Sequence, residues 1–298
     1  MSMSAKASAA TRDGPDYRGG MASERHSDPG ISAEGFPIAS AESPRLLVLG
    51  SATSTNTELA ALARAEQLPP LAAIATLDQR AGRGRLGRTW TAPPGASLAV
   101  SVWLAPRADM ERWGPITLLG GLAARHAVAA QLPGRDVAVK WPNDVLVAGR
   151  KIVGVLAEIV PEAHGVVLGI GINTAMSATD LPVPTATSIA IERGEETAGR
   201  DPAALADAVL ADLLRELGRL VARFEAAGGD LERAGLLAEL HEHCGTIGRD
   251  VRVELPDGSL LEGRATGIRA DGALELGVEQ SRTSTAILAG DVTHLRYQ

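Results

Sequence analysis

Two strand-like runs, residues 71–77 (LAAIATL) and 97–104 (SLAVSVWL), flank a glycine-rich segment that limits which folds the chain can adopt. The segment, AGRGRLGRTW at residues 81–90, has the glycine spacing G-x-G-x-x-G. Dinucleotide-binding folds use this spacing between a strand and a helix whose N-terminus faces the pyrophosphate. Here Pro-Pro-Gly follows at residues 93–95, which prevents a helix, and the chain re-enters a strand. The pattern therefore argues against a dinucleotide-dependent oxidoreductase.

The same segment carries three arginines, Arg83, Arg85 and Arg88. The guanidinium group is planar and permanently charged, and it suits carboxylate and phosphate oxygens. Glycines give the backbone the freedom to fold over a ligand. A solvated basic turn is the alternative, but three arginines spaced by glycines between two strands favour an anion-binding loop.

A second candidate is Lys140, within VKWPNDVL at residues 139–146. Its apolar neighbours predict a partly buried strand, where an ammonium group needs an anionic partner. A surface lysine at a strand edge is the alternative.

Two shorter segments are weaker candidates. GIGINT at residues 169–174 ends a strand with a backbone that a ligand could approach closely, although glycine there often marks only a bulge. STN at residues 54–56 lies between a strand and a helix, so helix capping is its default role, and this is compatible with a ligand at the same helix N-terminus.

Composition limits the class of protein. The 298 residues are 45% hydrophobic and 22% charged, which predicts a globular chain with one large and one small domain. The formal net charge of −7 argues against nucleic acid as a partner. The single cysteine, Cys244, predicts a small buried side chain, excludes an internal disulfide and favours the cytoplasm. No apolar run approaches the roughly 20 residues of a membrane span, so no membrane association is expected.

Hydrophobic patterning predicts a domain organisation. Residues 1–44 have no sustained periodicity and predict a disordered extension. Residues 45–240 mix strands and helices, and several strands follow one another without a helix between them. This favours an α+β fold, with a mixed β-sheet and helices on one face. Residues 241–298 alternate apolar and polar residues around Asp-Gly turns and predict a small β-barrel.

The element predictions are specific. Strands are expected at residues 45–50, 71–77, 97–104, 137–141, 151–160 and 165–172, and helices at residues 56–67, 115–132 and 201–226.

Taken together, the ordered motifs STN, GRGRLGRTW, KWPNDV, KIVGVLAE and GIGIN resemble those of the biotin protein ligases, from about residue 45 to the C-terminus. The resemblance implies a biotin/lipoate ligase-like catalytic domain followed by an SH3-like barrel. It implies that ATP and biotin form biotinyl-5′-adenylate with release of pyrophosphate, with Mg²⁺ carried on the phosphates and no dedicated metal ligand. The biotinyl group then passes to a lysine of the biotin carboxyl carrier domain of an acyl-CoA carboxylase.

The resemblance also implies site residues. Lys140 and Arg83 are the expected catalytic residues, with Lys140 bridging the biotin carboxylate and the α-phosphate. Biotin contacts are expected from Ser54, Thr55, Asn56, Gln79, Gly82, Arg83, Gly84, Arg85, Lys140, Gly154 and Gly171. ATP or adenylate contacts are expected from Arg83, Arg85, Arg88, Trp90, Asn143, Lys151 and Asn173. The C-terminal barrel is expected to close the nucleotide site or to dock the acceptor.

Three features separate the chain from some family members. Residues 1–44 are too few and too unpatterned for the DNA-binding domain of the biotin-operon repressors. Arg80 stands beside Gln79, where some relatives have a second glutamine. Residues 174–191 contain no aromatic side chain to stack on adenine. A lipoate or octanoyl ligase of related fold and a biotin-responsive repressor are the alternatives, and a monomer or a homodimer is expected.

Overall fold

The computed structural model describes residues 35–194, 201–277 and 284–295. Residues 1–34 of the predicted disordered extension lie outside these ranges. No helix in the described part of the chain is long and apolar enough to cross a membrane.

All the strands and helices predicted from the sequence are present. The strands are β1 (Leu46–Leu49), β2 (Ala73–Thr76), β3 (Gly82–Arg83), β4 (Thr89–Trp90), β5 (Leu98–Leu104), β6 (Val137–Lys140), β7 (Asp144–Val147), β8 (Arg150–Val160), β9 (Gly165–Ile172), β10 (Asp250–Glu254), β11 (Leu260–Ile268), β12 (Leu274–Gly277), β13 (Ser284–Ile287) and β14 (Asp291–His294). The α-helices are α1 (Pro37–Ser40), α2 (Thr55–Ala65), α3 (Ile116–Gln131), α4 (Ile189–Arg193), α5 (Pro202–Ala226) and α6 (Leu236–His243).

The larger sheet has seven strands in the order β1-β2-β5-β9-β8-β7-β6. Strands β1 and β2 run parallel, and the other neighbouring pairs run antiparallel. Antiparallel neighbours need no helical crossover, which explains the strands that follow one another directly in the sequence. The predicted α+β fold with a mixed sheet is confirmed.

Helices α3 and α5 bury their apolar sides in the main core against this sheet. The N-terminus of α5 is capped by Asp201, whose carboxylate accepts a hydrogen bond from the Ala203 N–H, and Pro202 occupies the first turn. Helix α2 contributes Leu59 to a second cluster with Trp103 and other buried side chains. Part of the opposite face of the sheet is therefore covered as well, whereas the sequence predicted helices on one face.

The segment just before β1 is folded against α5. Phe36 and Ala39 are fully buried. The backbone N–H groups of Ile38 and Ala39 donate to the Asp207 carboxylate at 3.1 and 2.7 Å. The prediction of a disordered extension is therefore wrong for residues 36–44. A four-residue helix has no periodicity to detect, and α5 supplies both its apolar cover and its buried hydrogen-bond acceptor.

The C-terminal unit is a five-stranded antiparallel sheet in the order β13-β12-β11-β10-β14. Gly258 and Gly272, in the predicted Asp-Gly turns, have φ of 82° and 84°, which favours glycine. The small C-terminal β-domain predicted from the sequence is confirmed as an antiparallel sheet, and its closure into a barrel stays a prediction. The domain boundary expected at residue 240 falls within α6 and stays a prediction.

Candidate ligand-binding site

An open cavity lies on the large sheet beneath the arginine-containing hairpin β3–β4. Most of the expected site residues line it, namely Ser54, Thr55, Asn56, Gln79, Arg83, Gly84, Arg85, Arg88, Trp90, Asn143, Lys151, Gly154 and Gly171. The remaining expected residues, Gly82, Lys140 and Asn173, are not part of its wall.

Uncharged hydrogen-bonding groups form one end of the cavity at the N-terminus of α2. Ser54 caps this helix by accepting a hydrogen bond from the Thr57 N–H. The Gln79 side-chain oxygen accepts from the Thr55 N–H at 2.9 Å and lies 3.2 Å from the Thr55 hydroxyl. Capping and ligand recognition are thus compatible here, because the cap residues also face the cavity.

The amide of Asn56 is held in one orientation. The Ser101 hydroxyl donates to Asn56 Oδ1 at 2.6 Å, and Asn56 Nδ2 donates to Glu158 Oε2 at 2.5 Å. The sequence analysis missed both partners. The period of two in β8 was the available signal, because Glu158 falls on the same strand face as the cavity-lining Gly154 and Leu156.

The indole of Trp90 covers the glycines of the cavity floor. A Cβ atom at Gly171 would lie 2.6 Å from the Trp90 ring, and one at Gly154 would lie 3.0 Å from it. The indole N–H is buried and has no hydrogen-bond partner among the described residues. Glycine is therefore required beneath the ring, and the indole retains a donor for a ligand.

The loop between β3 and β4 needs its glycine for a tight turn. Gly87 has a φ of 72°, next to Leu86 at 54°. At the start of the loop, Arg83 Nη2 lies 3.2 Å from the Thr57 hydroxyl and 3.1 Å from a Glu158 carboxylate oxygen. The loop is thereby attached to both α2 and β8.

The far side of the loop is attached to the C-terminal sheet. Arg85 donates to Asn143 Oδ1 at 3.1 Å and to the Gly290 carbonyl at 3.2 Å. Arg88 forms an ion pair with Asp291 of β14, which itself lines the cavity. The C-terminal unit thus supplies part of the wall at the cationic end of the cavity, and the sequence analysis missed Asp291.

The two candidate lysines lie on either side of Asp144. Lys151 lines the cavity, with its Nζ 2.6 Å from Asp144 Oδ1 and 6.0 Å from the Trp90 ring centroid. Lys140 ends the edge strand β6 and lines a neighbouring groove, with its Nζ 3.9 Å from Asp144 Oδ2. Burial lowers the pKa of Lys140, and Asp144 partly opposes this. The structure therefore brings Lys151, rather than Lys140, together with Arg83 at the cavity.

Asn173 lies behind the cavity wall. Its Nδ2 donates to the Thr187 carbonyl at 3.0 Å, while its buried Oδ1 has no hydrogen-bond partner within the described ranges. The Thr187 N–H in turn donates to the Lys151 carbonyl at 2.8 Å. Asn173 thus holds the segment that borders Lys151.

Among the residues that the structure describes, no cluster of three or more His, Cys, Asp or Glu side chains is placed to hold a metal ion.

Cys244 is buried, and burial raises the pKa of its thiol, which agrees with the predicted packing role.

The geometry joins a neutral hydrogen-bonding pocket to a cationic end across an apolar floor. Such a site can hold a polar head group at one end and bring a carboxylate to a phosphate at the other, where fixed positive charge stabilises the developing anion. This arrangement fits a carboxylate-activating ligase.

Comparison with known proteins agrees with that class. Residues 48–173 match the Biotin/lipoate A/B protein ligase family, and residues 246–295 match the Biotin protein ligase C terminal domain. The biotin--[acetyl-CoA-carboxylase] ligase of Mycobacterium tuberculosis is 35% identical over 257 residues, which cover 85% of this chain and 90% of that protein. The bifunctional ligase/repressor BirA of Salmonella typhimurium is 30% identical over 259 residues, 85% of this chain and 75% of that protein.

A solved structure shares the fold. The biotin protein ligase from Aquifex aeolicus in complex with biotin and ATP superimposes with a TM-score of 0.68 at 23% identity, covering 85% of this chain and 100% of that one. The chain belongs to the biotin protein ligase family.

Proposed function

We propose that this protein is an ATP-dependent biotin–protein ligase acting on the biotin carboxyl carrier domain of an acyl-CoA carboxylase. The observation that carries the proposal is that one cavity contains both a neutral pocket and a cationic end. Ser54–Asn56 and Gln79 form the neutral pocket, and Arg83 and Lys151 are the cations. Biotin has the matching chemistry, with a neutral ureido group at one end and a carboxylate at the other.

The ureido head of biotin binds at the N-terminus of α2. Its carbonyl and two N–H groups need both donors and acceptors, which the side chains of Ser54, Thr55, Asn56 and Gln79 supply. The bicyclic ring and its aliphatic chain lie along the apolar floor beside Trp90. Buried polar groups of this kind discriminate strongly against a ligand that lacks the matching hydrogen bonds, such as lipoate.

At the cationic end, a carboxylate oxygen of biotin attacks the α-phosphorus of ATP. The bond from the α-phosphorus to the bridging oxygen breaks, and pyrophosphate leaves. We assign the stabilisation of charge at this centre to Lys151 and Arg83, because both line the cavity. Lys140 acts indirectly, through its contact with the carboxylate of Asp144.

ATP enters as its magnesium complex, and the metal is carried by the phosphates. Asn143, Arg85 and Arg88 supply donors to the phosphates and ribose, and Asn173 orders the neighbouring backbone. In the second half-reaction, the neutral amine of the acceptor lysine attacks the biotinyl carbonyl. An amide bond forms, AMP leaves, and the amine proton passes to solvent.

Isotopic ATP–pyrophosphate exchange tests the proposal. Purified protein with ATP and Mg²⁺ receives biotin, lipoate or neither, and a parallel sample contains EDTA. Exchange that requires both biotin and the metal is expected. Exchange driven by lipoate alone would move the protein to the lipoate ligases, and absence of exchange with either acid would contradict an adenylate-forming activity. Labelling of a purified biotin carboxyl carrier domain then tests the second step.

A further inference from the structure

We infer that Glu158 is a positioning residue that couples recognition of the ureido head to closure of the arginine loop over the adenylate. The inference rests on the proposed function and adds a residue that does not itself line the ligand cavity. Its partly exposed carboxylate lies between Asn56 of α2 and Arg83 of the loop.

The contacts of Glu158 reach two different parts of the site. Its Oε2 accepts the 2.5 Å hydrogen bond from Asn56, and its Oε1 lies 3.1 Å from Arg83 Nη2. Arg83 also reaches the Thr57 hydroxyl, one residue beyond Asn56. A single carboxylate therefore joins the pocket proposed for the ureido group to the loop proposed to retain the intermediate.

The amide of Asn56 depends on this acceptor. Ser101 already donates to Asn56 Oδ1. Asn56 Nδ2 donates to Glu158 at 2.5 Å and to the Leu156 carbonyl at 3.5 Å, so Glu158 is the closer of its two acceptors and helps to hold the amide in its present orientation. Gly169 leaves room for the amide, because a Cβ atom there would collide with it. Loss of the Glu158 acceptor would leave this nearly buried amide nitrogen with only the longer contact of 3.5 Å to the Leu156 carbonyl, which is unfavourable.

The charge of Glu158 stabilises its contact with Arg83. The Arg83 side chain is 54% exposed, so the ion pair is partly screened and its effect on the loop is modest. A neutral glutamine at position 158 can still accept from Asn56, but it lacks the charge that holds Arg83. The two effects are therefore separable by substitution.

The experiment compares Glu158→Gln, Glu158→Leu and the control Glu162→Gln. Glu162 lies just beyond β8 and outside the proposed binding machinery. Its side chain is 66% exposed and pairs with Arg64. Calorimetry measures the biotin Kd, and a chase with unlabelled ligands measures release of radiolabelled biotinyl adenylate. Thermal unfolding followed by circular dichroism shows which variants are folded.

Glu158→Gln should release the adenylate about threefold faster, with the biotin Kd within about twofold of wild type. Glu158→Leu should in addition weaken biotin binding about tenfold. Glu162→Gln should match wild type in both measurements. Faster release with unchanged Kd is not expected of a residue that only stabilises the fold.

A double-mutant cycle with Arg83→Ala makes the test independent of the leucine variant. If Glu158 acts through Arg83, Glu158→Gln should not accelerate release further once Arg83 is removed. Additive effects, or a Glu158→Gln variant that retains the adenylate like wild type, would overturn the inference. Failure of wild-type protein to support biotin-dependent exchange would instead overturn the proposed function.

Discussion

The ammonium group of Lys151 lies 2.6 Å from Asp144 Oδ1, and Lys140 approaches the other oxygen of the same carboxylate at 3.9 Å. Asp144 and Lys151 line both the cavity and the neighbouring groove, whereas Lys140 lines the groove and not the cavity. The two lysines of the sequence motifs therefore differ in their access to the cavity, although both lie close to the Asp144 carboxylate.

Replacement of these lysines by alanine should reveal this difference. Lys151→Ala should lower kcat for adenylate formation by about 10² to 10³-fold, because it removes a fixed charge from the reacting centre. Lys140→Ala should cost about tenfold or less, since it acts through Asp144. Biotin-dependent ATP–pyrophosphate exchange measures both, and a larger loss in Lys140→Ala would reverse the assignment.

Arg83→Ser should loosen the loop and let the adenylate escape. We expect faster release of the intermediate and biotin labelling of unrelated lysines on a bystander protein such as serum albumin. Arg80→Ser is the matched control, because Arg80 is exposed in the same stretch and pairs with Asp78 instead. Tight retention of the adenylate by Arg83→Ser would contradict the role given to Arg83.

Asp291→Asn should raise the KM for ATP about two- to fivefold, because Arg88 loses the ionic partner that orders the loop before ATP arrives. Steady-state kinetics at varied ATP gives the value. Asp250→Asn removes another carboxylate of the C-terminal sheet, which pairs with Arg264, and should leave the KM unchanged. A lower KM in Asp291→Asn would mean that this carboxylate repels the phosphates instead of anchoring the loop.

Stability should fall at acid pH through Glu239. Burial alone would raise the pKa of this carboxyl, but hydrogen bonds from Arg219 and Arg223 outweigh burial and lower the pKa to about 2. Because the folded-state pKa lies below the unfolded value of 4.5, the contribution is complete above that value and is lost as the pH falls from about 4.5 to about 2.

Glu239→Gln measures this contribution. An unscreened shift of this size would correspond to about 3 kcal/mol, which partial exposure to solvent reduces to about 1–2 kcal/mol near neutral pH. Urea unfolding from pH 7 to pH 2.5 should show the difference from wild type shrinking below pH 4.5. Glu254→Gln, at an exposed site on β10, is the control, and a difference that stays constant with pH would refute the linkage.

Phe36→Ala should destabilise the protein by about 3 kcal/mol, because it leaves a cavity between α1 and α5. Ile38→Ala, at a side chain that is 51% exposed in the same helix, should cost much less. Urea unfolding compares the two. Equal stability of Phe36→Ala and wild type would mean that the segment before β1 contributes nothing to the fold.

Much of the site could be inferred from local sequence. The glycine and arginine spacing at residues 82–88 predicts an anion-binding loop, and Pro93-Pro94 excludes the helix of a dinucleotide site. Val- and Ile-rich runs specify the strands, because their signals lie within a few residues of each other. Hydrophobic patterning was sufficient for the α+β fold and the C-terminal β-unit. The family came from the resemblance carried by the ordered motifs STN, GRGRLGRTW, KWPNDV, KIVGVLAE and GIGIN.

Contacts between distant residues could not be inferred in the same way. Asn56 and Glu158 are 102 residues apart, and Arg88 and Asp291 are 203 apart. Both pairs exist only because the sheet order and the docking of the C-terminal unit bring their strands together. No local sequence pattern predicts which of these distant side chains will pair.

The sequence by itself determined the chemistry that the site contains, because residue type and short-range spacing set charge, hydrogen-bonding capacity and backbone freedom. The tertiary structure decided which side chains reach the ligand. Lys140 ends an edge strand, whereas Lys151 lies on β8 beside an irregularity in its pairing with β7, between Val145 and Leu146. Strand order and register determine which side chains line the cavity, and long-range pairing sets both.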